Sequence, residues 1–393
     1  MNVPKLRFKE FTDVWKEYPL KYFTTPIKRK NINNESDLPL TISSLDGLVD
    51  QRTYFNKVVA SKDMSNYYLL KKGEFAYNKS YSVGFPFGSI KRLDKYNQGA
   101  LSSLYICFQV NNMNSDFIVK YFESPQWHKQ ISLCVAEGAR NHGLLNVNIN
   151  DFFSTKHFLP QLAEQEKIAN FLTTVDKKIT NLENTIISLE NQKKGLLQQI
   201  FSQKLRFKDE NGNNYPNWEK KKLEDISNIT MGQSPDSDFV NTEKIGTPFL
   251  QGNAEFTNKY PIEKYWCTKP QKIANPTDIL LSVRAPVGAI NIANKKFCIG
   301  RGLSAISFNC NKLFGKYNLE FNLFQLIKKS QGSTFSSINK KDISEVILFI
   351  PCLEEQTKIA DFLSAFDRKL ENQKAQLEHW KQIKKGLLQQ MFV

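Results

Sequence analysis

Two long stretches of the chain carry apolar residues in an alternating four-three step. In the first, Ile168, Leu172, Val175, Ile179, Leu182, Ile186 and Leu189 keep that step, followed by Leu196 and Ile200. In the second, Ile359, Leu363, Phe366, Leu370, Leu377, Trp380, Leu387 and Met391 take the matching positions. Such a step is the seam of a coiled coil, and each stretch therefore predicts a long helix, on the order of 55 Å at 1.5 Å per residue. A lone apolar stripe of that length needs a partner helix, and the chain supplies one.

The two stretches are also copies of each other. Leu159-Pro160 precedes Glu164-Gln165-Glu166-Lys167-Ile168-Ala169-Asn170-Phe171-Leu172, and the stretch ends in Lys193-Lys194-Gly195-Leu196-Leu197-Gln198-Gln199. Ile350-Pro351 precedes Glu355-Gln356-Thr357-Lys358-Ile359-Ala360-Asp361-Phe362-Leu363, and Lys384-Lys385-Gly386-Leu387-Leu388-Gln389-Gln390 closes the second copy, offset by 191 residues. A second repeat links Lys5-Leu6-Arg7-Phe8-Lys9, followed by Trp15, with Lys204-Leu205-Arg206-Phe207-Lys208, followed by Trp218. The order is that of a cyclic pattern cut open, with one Leu-Arg-Phe segment moved to the front. It predicts a pseudo-two-fold molecule whose chain ends lie close together. Gly195 and Gly386, at the same place in both copies, carry the roughly 1 kcal/mol cost of a glycine inside a helix. They are expected to permit close helix packing or to mark a kink.

Between the helices, the regions Tyr22 to Phe158 and Ile226 to Phe349 mix short strand-like runs with turns, for example 103–110 and 278–283. Lys72 to Tyr77 before Val83-Gly84 echoes Thr277 to Ser282 before Val287-Gly288, and helices are expected over 116–133 and 316–329. The fold class is α+β: two similar mixed α/β domains separated by two long helices that form an antiparallel coiled coil. The boundaries are 1–158, 159–203, 204–349 and 350–393.

Charge adds a partner to this picture. The 393 residues carry a formal net charge of +15, a surplus suited to neutralising phosphates. Six scattered cysteines form no Cys-x-x-Cys pair, so a reducing cytoplasm is the expected location. The four histidines, His128, His142, His157 and His379, show no metal spacing. No apolar run has the length of a signal peptide or a membrane span.

Similar helices framing dissimilar domains, with Glu-Gln-x-Lys-Ile-Ala-x-Phe-Leu at each helix start and Lys-Lys-Gly-Leu-Leu-Gln-Gln at each end, resemble the specificity subunit of a type I restriction-modification system. The resemblance implies that each globular region is a target recognition domain reading one half of a bipartite double-stranded DNA site. The helix pair would act as spacer. It further implies a non-catalytic chain on which two methyltransferase (M) subunits dock and restriction/motor (R) subunits assemble. This chain would hold no cofactor, with S-adenosylmethionine, ATP and magnesium on the partner subunits.

The candidate DNA contacts are Lys79, Tyr81, Lys91, Arg92, Arg140, Asn141 and His142 in the first region, and Arg284, Arg301, Gln331, Ser333 and Thr334 in the second. Arg grips guanine with two bonds and Asn or Gln grips adenine, while Lys, Ser and Thr more often hold phosphate. A solvated surface role is the alternative for each one. The glycines Gly84/Gly88 and Gly300/Gly302 read as turn residues. Lys177, Lys178, Lys193, Lys194, Arg368, Lys369, Lys384 and Lys385 either keep the helix pair soluble or border DNA and the docked methyltransferases. Asn275-Pro276-Thr277-Asp278 lacks the second proline and the aromatic of an adenine methyltransferase loop. No phosphate-binding Gly-x-x-x-x-Gly-Lys loop occurs, and Pro235-Asp236 has no nuclease-type Glu/Asp-x-Lys after it. A stand-alone methyltransferase or nuclease with unrecognised motifs, or a basic coiled-coil scaffold, are the rival readings.

Overall fold

The computed structural model describes residues 3–57, 59–135, 145–331 and 337–393. The chain divides into two compact units, one of Met1–Glu183 with Ala375–Val393 and one of Asn184–Lys374. Leu162–Phe201 and Leu353–Gln390 are helices of 40 and 38 residues. Positions 159 and 350, where the sequence places the starts of these stretches, are instead the last residues of strands Lys156–Leu159 and Ile347–Ile350. The prolines that follow, Pro160 and Pro351, have no N–H with which to extend a ladder.

Along the first helix Ile168, Leu172, Val175, Leu182, Ile186, Leu189 and Ile200 are buried and Ile179 is half-buried. Along the second, Ile359 and Leu363 are fully buried, while Phe366, Leu370, Leu377 and Trp380 are half-buried. Ion pairs tie the two helices together inside each unit. In the first unit Lys381 meets Glu183 at 2.8 Å and Lys384 meets Asp176 at 2.7 Å. In the second, Lys374 meets Glu190 at 2.7 Å and Lys193 meets Asp367 at 2.5 Å. In both units a higher number on one helix faces a lower number on the other, so these segments run antiparallel.

The expectation for the two helix glycines is overturned. A Cβ added at Gly195 would meet nothing within 4 Å, and one at Gly386 only the Gln390 side-chain nitrogen at 3.8 Å. The helix around each continues unbroken, and neither glycine is held by a close approach.

Both units build a comparable pair of sheets, the first four-stranded in each and the second four-stranded in one unit and five-stranded in the other. The first unit has an antiparallel sheet ordered Thr24–Pro26, Ile106–Val110, Phe75–Asn78, Ser89–Arg92, and the second has Ser227–Met231, Leu303–Phe308, Ile279–Ser282, Ile290–Ile292 in the same order. Beside each lies a second sheet containing one parallel pair, Pro39–Ser43 with Gln98–Leu101 in the first unit and Thr247–Leu250 with Phe297–Ile299 in the second. Register aligns Gly73 with Thr277, both at positive φ (88° and 75°). It also aligns Glu74 with Asp278, whose carboxylates accept the N–H of Lys71 and Asn275. The sequence echo is therefore real but displaced by one residue. The helix expected over 116–133 is two helices, Ser115–Glu123 and Gln126–Cys134, broken at Pro125. The one expected over 316–329 runs longer, as Lys312–Gln331.

The helix ends belong to the domain cores. Phe392 packs edge-on against Trp15 and lies beside Phe117 and Tyr121, and its repeat equivalent Phe201 packs likewise against Trp218, Phe314 and Phe321. Burying aromatic surface of this size dominates local packing energetics.

Candidate nucleic-acid interface

A carboxylate clamp stands at the start of each long helix. Glu164, with a fully buried side chain, accepts Arg7 Nε and Nη2 at 2.7 Å each and Trp15 Nε1 at 3.3 Å. Glu355 repeats this with Arg206 Nε and Nη2 at 2.8 Å and Trp218 Nε1 at 3.0 Å. The hydrogen bonds to these carboxylates raise both guanidinium pKa values above their ordinary range. The adjacent Gln165 and Gln356 accept the N–H of Asn114 and Asn311 and donate to the carbonyls of Pro160 and Pro351. Asn114 in turn caps the helix Ser115–Glu123. Both halves of the clamp are repeated in the sequence, but their pairing, 157 and 149 residues apart, carries no local signal.

The chain ends meet as expected. Leu6 N–H donates to Gln390 O at 2.9 Å, and Leu205 N–H donates to Gln199 O at 3.0 Å in the second unit, where the chain is continuous.

In the second unit the register of the central strands gathers two predicted contacts. Ser282 faces Leu303, and Val283 N–H donates to Gly302 O at 2.9 Å, which carries Arg284 and Arg301 to the same end of the sheet. Both are exposed, and among the described residues neither has an ion-pair partner within 4 Å. Ser234 and Gln251, which the sequence did not single out, lie beside Arg301: Ser234 Oγ accepts Arg301 N–H at 3.3 Å and Gln251 Nε2–H at 3.0 Å. Gln331 closes its helix, whereas Ser333 and Thr334 lie outside the described residues. Gly300 and Gly302 sit at a turn, closed by Leu303 N–H to Gly300 O at 3.0 Å, and are also points of tight backbone approach.

The first unit separates its candidates. Lys79 and Tyr81 follow the strand Phe75–Asn78, at the end where Asn78 faces Ser89. Tyr81 is exposed, and the Lys79 carbonyl accepts Leu145 N–H. Arg92 faces Phe75 at the opposite end, where its guanidinium is spent on Asp94, Asp116 and Ser115 at 2.7, 2.7 and 2.9 Å. It therefore does not join Lys79 and Tyr81. Lys91 lines a cavity of about 450 Å³ with Trp127, His128, Lys384 and Lys385; burial, then the neighbouring cations Lys384 and Lys120, lower its pKa. Arg140, Asn141 and His142 lie outside the described residues. Gly84 and Gly88 are turn residues at positive φ.

Among the helix lysines, Lys193 and Lys384 belong to the ion pairs above and are only half-exposed. Burial would lower the Lys384 pKa, but Glu123 and Asp176 hold it above its ordinary value. His157 is buried between Tyr121 OH and Thr155 Oγ1 at 2.8 Å each, a structural position. Among the described residues no group of three or more His, Cys, Asp or Glu side chains could hold a metal, and no helix is long and apolar enough to cross a membrane.

Comparison with known proteins agrees with this layout. The family model for the type I restriction modification DNA specificity domain matches residues 15–191 and 215–379. A Methanocaldococcus jannaschii protein named as the specificity subunit of the type I restriction enzyme MjaX is 36% identical over 282 residues, covering 69% of this chain and 65% of the relative. This chain thus spans a little under two thirds of that relative's length. The MjaVIII specificity subunit of the same organism is 22% identical, covering 74% of this chain and 73% of the relative. Two solved structures share the fold. The type I restriction-modification S subunit from M. genitalium has a TM-score of 0.60 at 16% identity and covers 100% of this chain and 99% of its own. A chain from a structure concerned with assembly and conformational transition of the type I R-M system has a TM-score of 0.61 at 24% identity and covers 95% of this chain and 96% of its own. The match to the family model over both globular regions and most of both helices places the chain in the family of type I restriction-modification DNA specificity subunits.

Proposed function

We propose that this chain is a non-catalytic DNA reader, each unit taking one half of a bipartite double-stranded target while the helices set the number of unread base pairs between the halves. Methyltransferase subunits, two in number, dock on it, and restriction/motor subunits join them. S-adenosylmethionine, ATP and magnesium belong to those partners, and the assembly works in the cytoplasm. One observation carries this reading: the same four-stranded antiparallel sheet is built twice, yet the strand ends present Lys79 and Tyr81 in one unit and Arg284 and Arg301 in the other. One scaffold with two different polar surfaces suits two different half-sites, since base edges are read by particular side chains and phosphates by positive charge.

The test is co-expression with a type I methyltransferase subunit from the same host, followed by mapping of methylated adenines across the host DNA. A split motif that disappears when this chain is deleted is the expected result; a motif that survives deletion, or none, would favour a scaffold. Four residues inserted near Ser188 should lengthen the gap by one to two base pairs, because a helical turn adds about 5 Å and duplex DNA rises about 3.4 Å per pair. An unchanged motif in the insertion variant would remove the helices from the spacer role.

A further inference from the structure

Three parts of the first unit build its cavity of about 450 Å³. Lys91 comes from the recognition sheet, Glu123 and His128 from the pair of short helices, and Lys381, Lys384 and Lys385 from the end of the helix Leu353–Gln390. Ser44 and Ser89 also line it, and Ser44 Oγ donates to Ser89 Oγ at 3.1 Å. The cavity therefore continues from the strand end, where Asn78 faces Ser89 and Lys79 and Tyr81 follow. Its cations are unequally used. Lys384 meets Glu123 at 2.9 Å and Asp176 at 2.7 Å, Lys120 meets the same Asp176, and Lys381 meets Glu183 at 2.8 Å. Lys91 and Lys385 are left: among the described residues neither has a carboxylate oxygen within 4 Å. Lys91 is half-buried; burial disfavours its charge, Glu123 favours it, and Lys384 and Lys120 oppose it. An anion entering the cavity would offset both the burial and the repulsion.

The second unit puts neutral groups at the same places. Asn291 faces Leu280 as Lys91 faces Ala76, and its buried amide donates to Thr257 O at 2.7 Å. Tyr317 stands where Lys120 stands, six residues after the asparagine whose N–H bonds the helix-start glutamine. Its hydroxyl donates to Asp367 at 2.7 Å, as Lys120 donates to Asp176. The half-buried lysine is a feature of the first unit.

The geometry points to this cavity as a site for one backbone phosphate of the target DNA, held by Lys91 and Lys385. This rests on the DNA-reading function proposed above and adds to it a contact that fixes the first unit on the duplex without reading sequence. A lysine ammonium is a compact point charge with three donors and no acceptor, which suits phosphate oxygens whatever bases they join. A charge that is half-buried and lacks a close carboxylate gains more from a phosphate than a fully solvated surface lysine does, because water screens it less. Each phosphate neutralised in this way releases a counterion and adds about 0.9 to the salt dependence of binding.

The experiment measures binding of a fluorescent duplex carrying the methylated motif, and of a scrambled duplex, by the complex of this chain with its methyltransferase subunits. Lys91→Met keeps most of the side chain's length and removes its charge. It should lower the slope of log K against log salt by about 0.9, so that between about 50 and 200 mM salt the variant loses roughly 3.5-fold less affinity than the wild type. Both duplexes should be weakened by a similar factor, and the methylated motif should stay unchanged. Lys91→Arg, which keeps the charge, should keep the slope. Duplexes in which one backbone phosphate at a time is a neutral methylphosphonate locate the contact. One position should weaken the wild-type complex, and Lys91→Met and Lys385→Met should both be insensitive at that position while responding normally elsewhere. The assignment is overturned by a wild-type slope and methylphosphonate profile in Lys91→Met, or by an altered motif with loss confined to the cognate duplex, which would make Lys91 a base reader. It is also overturned if the variant sheds methyltransferase subunits while its DNA contacts stay intact, which would make the cavity a protein-docking surface. If Lys91→Met does not assemble, Lys385→Met, on an exposed helix position, decides alone. A wild-type complex that yields no split motif would instead refute the underlying DNA-reading function, a distinguishable failure.

Discussion

Replacing Arg206 with methionine keeps the apolar stem of the side chain and removes the guanidinium from a carboxylate that water does not reach. Glu355 has a fully buried side chain, and Arg206 is 22% exposed. Of the three donors on Glu355 only Trp218 Nε1 at 3.0 Å would remain, and the carbonyls of Pro216 and Tyr215 would lose their guanidinium donor. Breaking a buried pair from one side costs about 3–5 kcal/mol, because the other charge is left unpaired. The partial exposure of Arg206 places the expected loss near about 3 kcal/mol. Adding Glu355→Gln removes the stranded charge while leaving an oxygen for Trp218, so the double variant should be less damaged than the sum of the singles by about 1–2 kcal/mol. Urea unfolding measures the cycle, and hydrogen exchange resolved to peptides locates it. Peptides over 204–230 should exchange faster, while those over 5–30, held by the equivalent Arg7–Glu164 clamp, should not. A loss below about 1 kcal/mol, or additive singles, would refute the claim that this clamp fastens the Leu-Arg-Phe segment.

Three further outcomes follow from particular residues. Burial lowers the His157 pKa from 6.5 to about 3, so between those values the unfolded chain binds a proton that the folded chain refuses. Stability should therefore fall as pH drops below 6.5, by about 2 kcal/mol at pH 5, and His157→Gln should flatten that slope; an equal slope in the variant would show that other groups set it. Gly195→Ala has open space for its methyl group and should stabilise the chain by up to about 1 kcal/mol, seen as a raised Tm, and Gly386→Ala likewise. A lowered Tm would restore the close-packing role that the sequence suggested. Joining Val393 directly to Met1 and opening the chain after Gln203 should give a folded permutant with the same methylated motif. The second unit spans from Gln199 to Leu205 with five residues, while three after Gln390 and five before Leu6 are available in the first. Loss of folding would contradict the cyclic layout.

Much of this protein was legible because it is written in local periods and in repeats. The four-three seam announces helices whatever surrounds them, and the 191-residue offset exposes the duplicated layout without any coordinates. The family resemblance rests on those same helix ends. The candidate contacts were less legible, since exposure and proximity at a strand end depend on register. Arg92 reads like any other basic residue next to a turn, yet register puts it at the far end of its strand, among Asp94 and Asp116. Gln251 and Ser234 gave no signal, being 17 residues apart in stretches with no shared pattern. The one available hint was the spacing of Gly300 and Gly302, which marks a crowded backbone without saying what crowds it.

The sequence by itself thus determined the helices, the two-fold repetition, the family and the basic character of the chain, because periodicity, identity and charge are properties of neighbouring or aligned residues. Only the tertiary structure decided that Arg7 belongs to Glu164 and Arg206 to Glu355, that Gly195 and Gly386 face open space, and that one unit lines a cavity with a half-buried lysine where the other buries an asparagine. Each of these depends on which distant segments exclude water from one another, and that is settled when the sheets close and the strand registers are fixed.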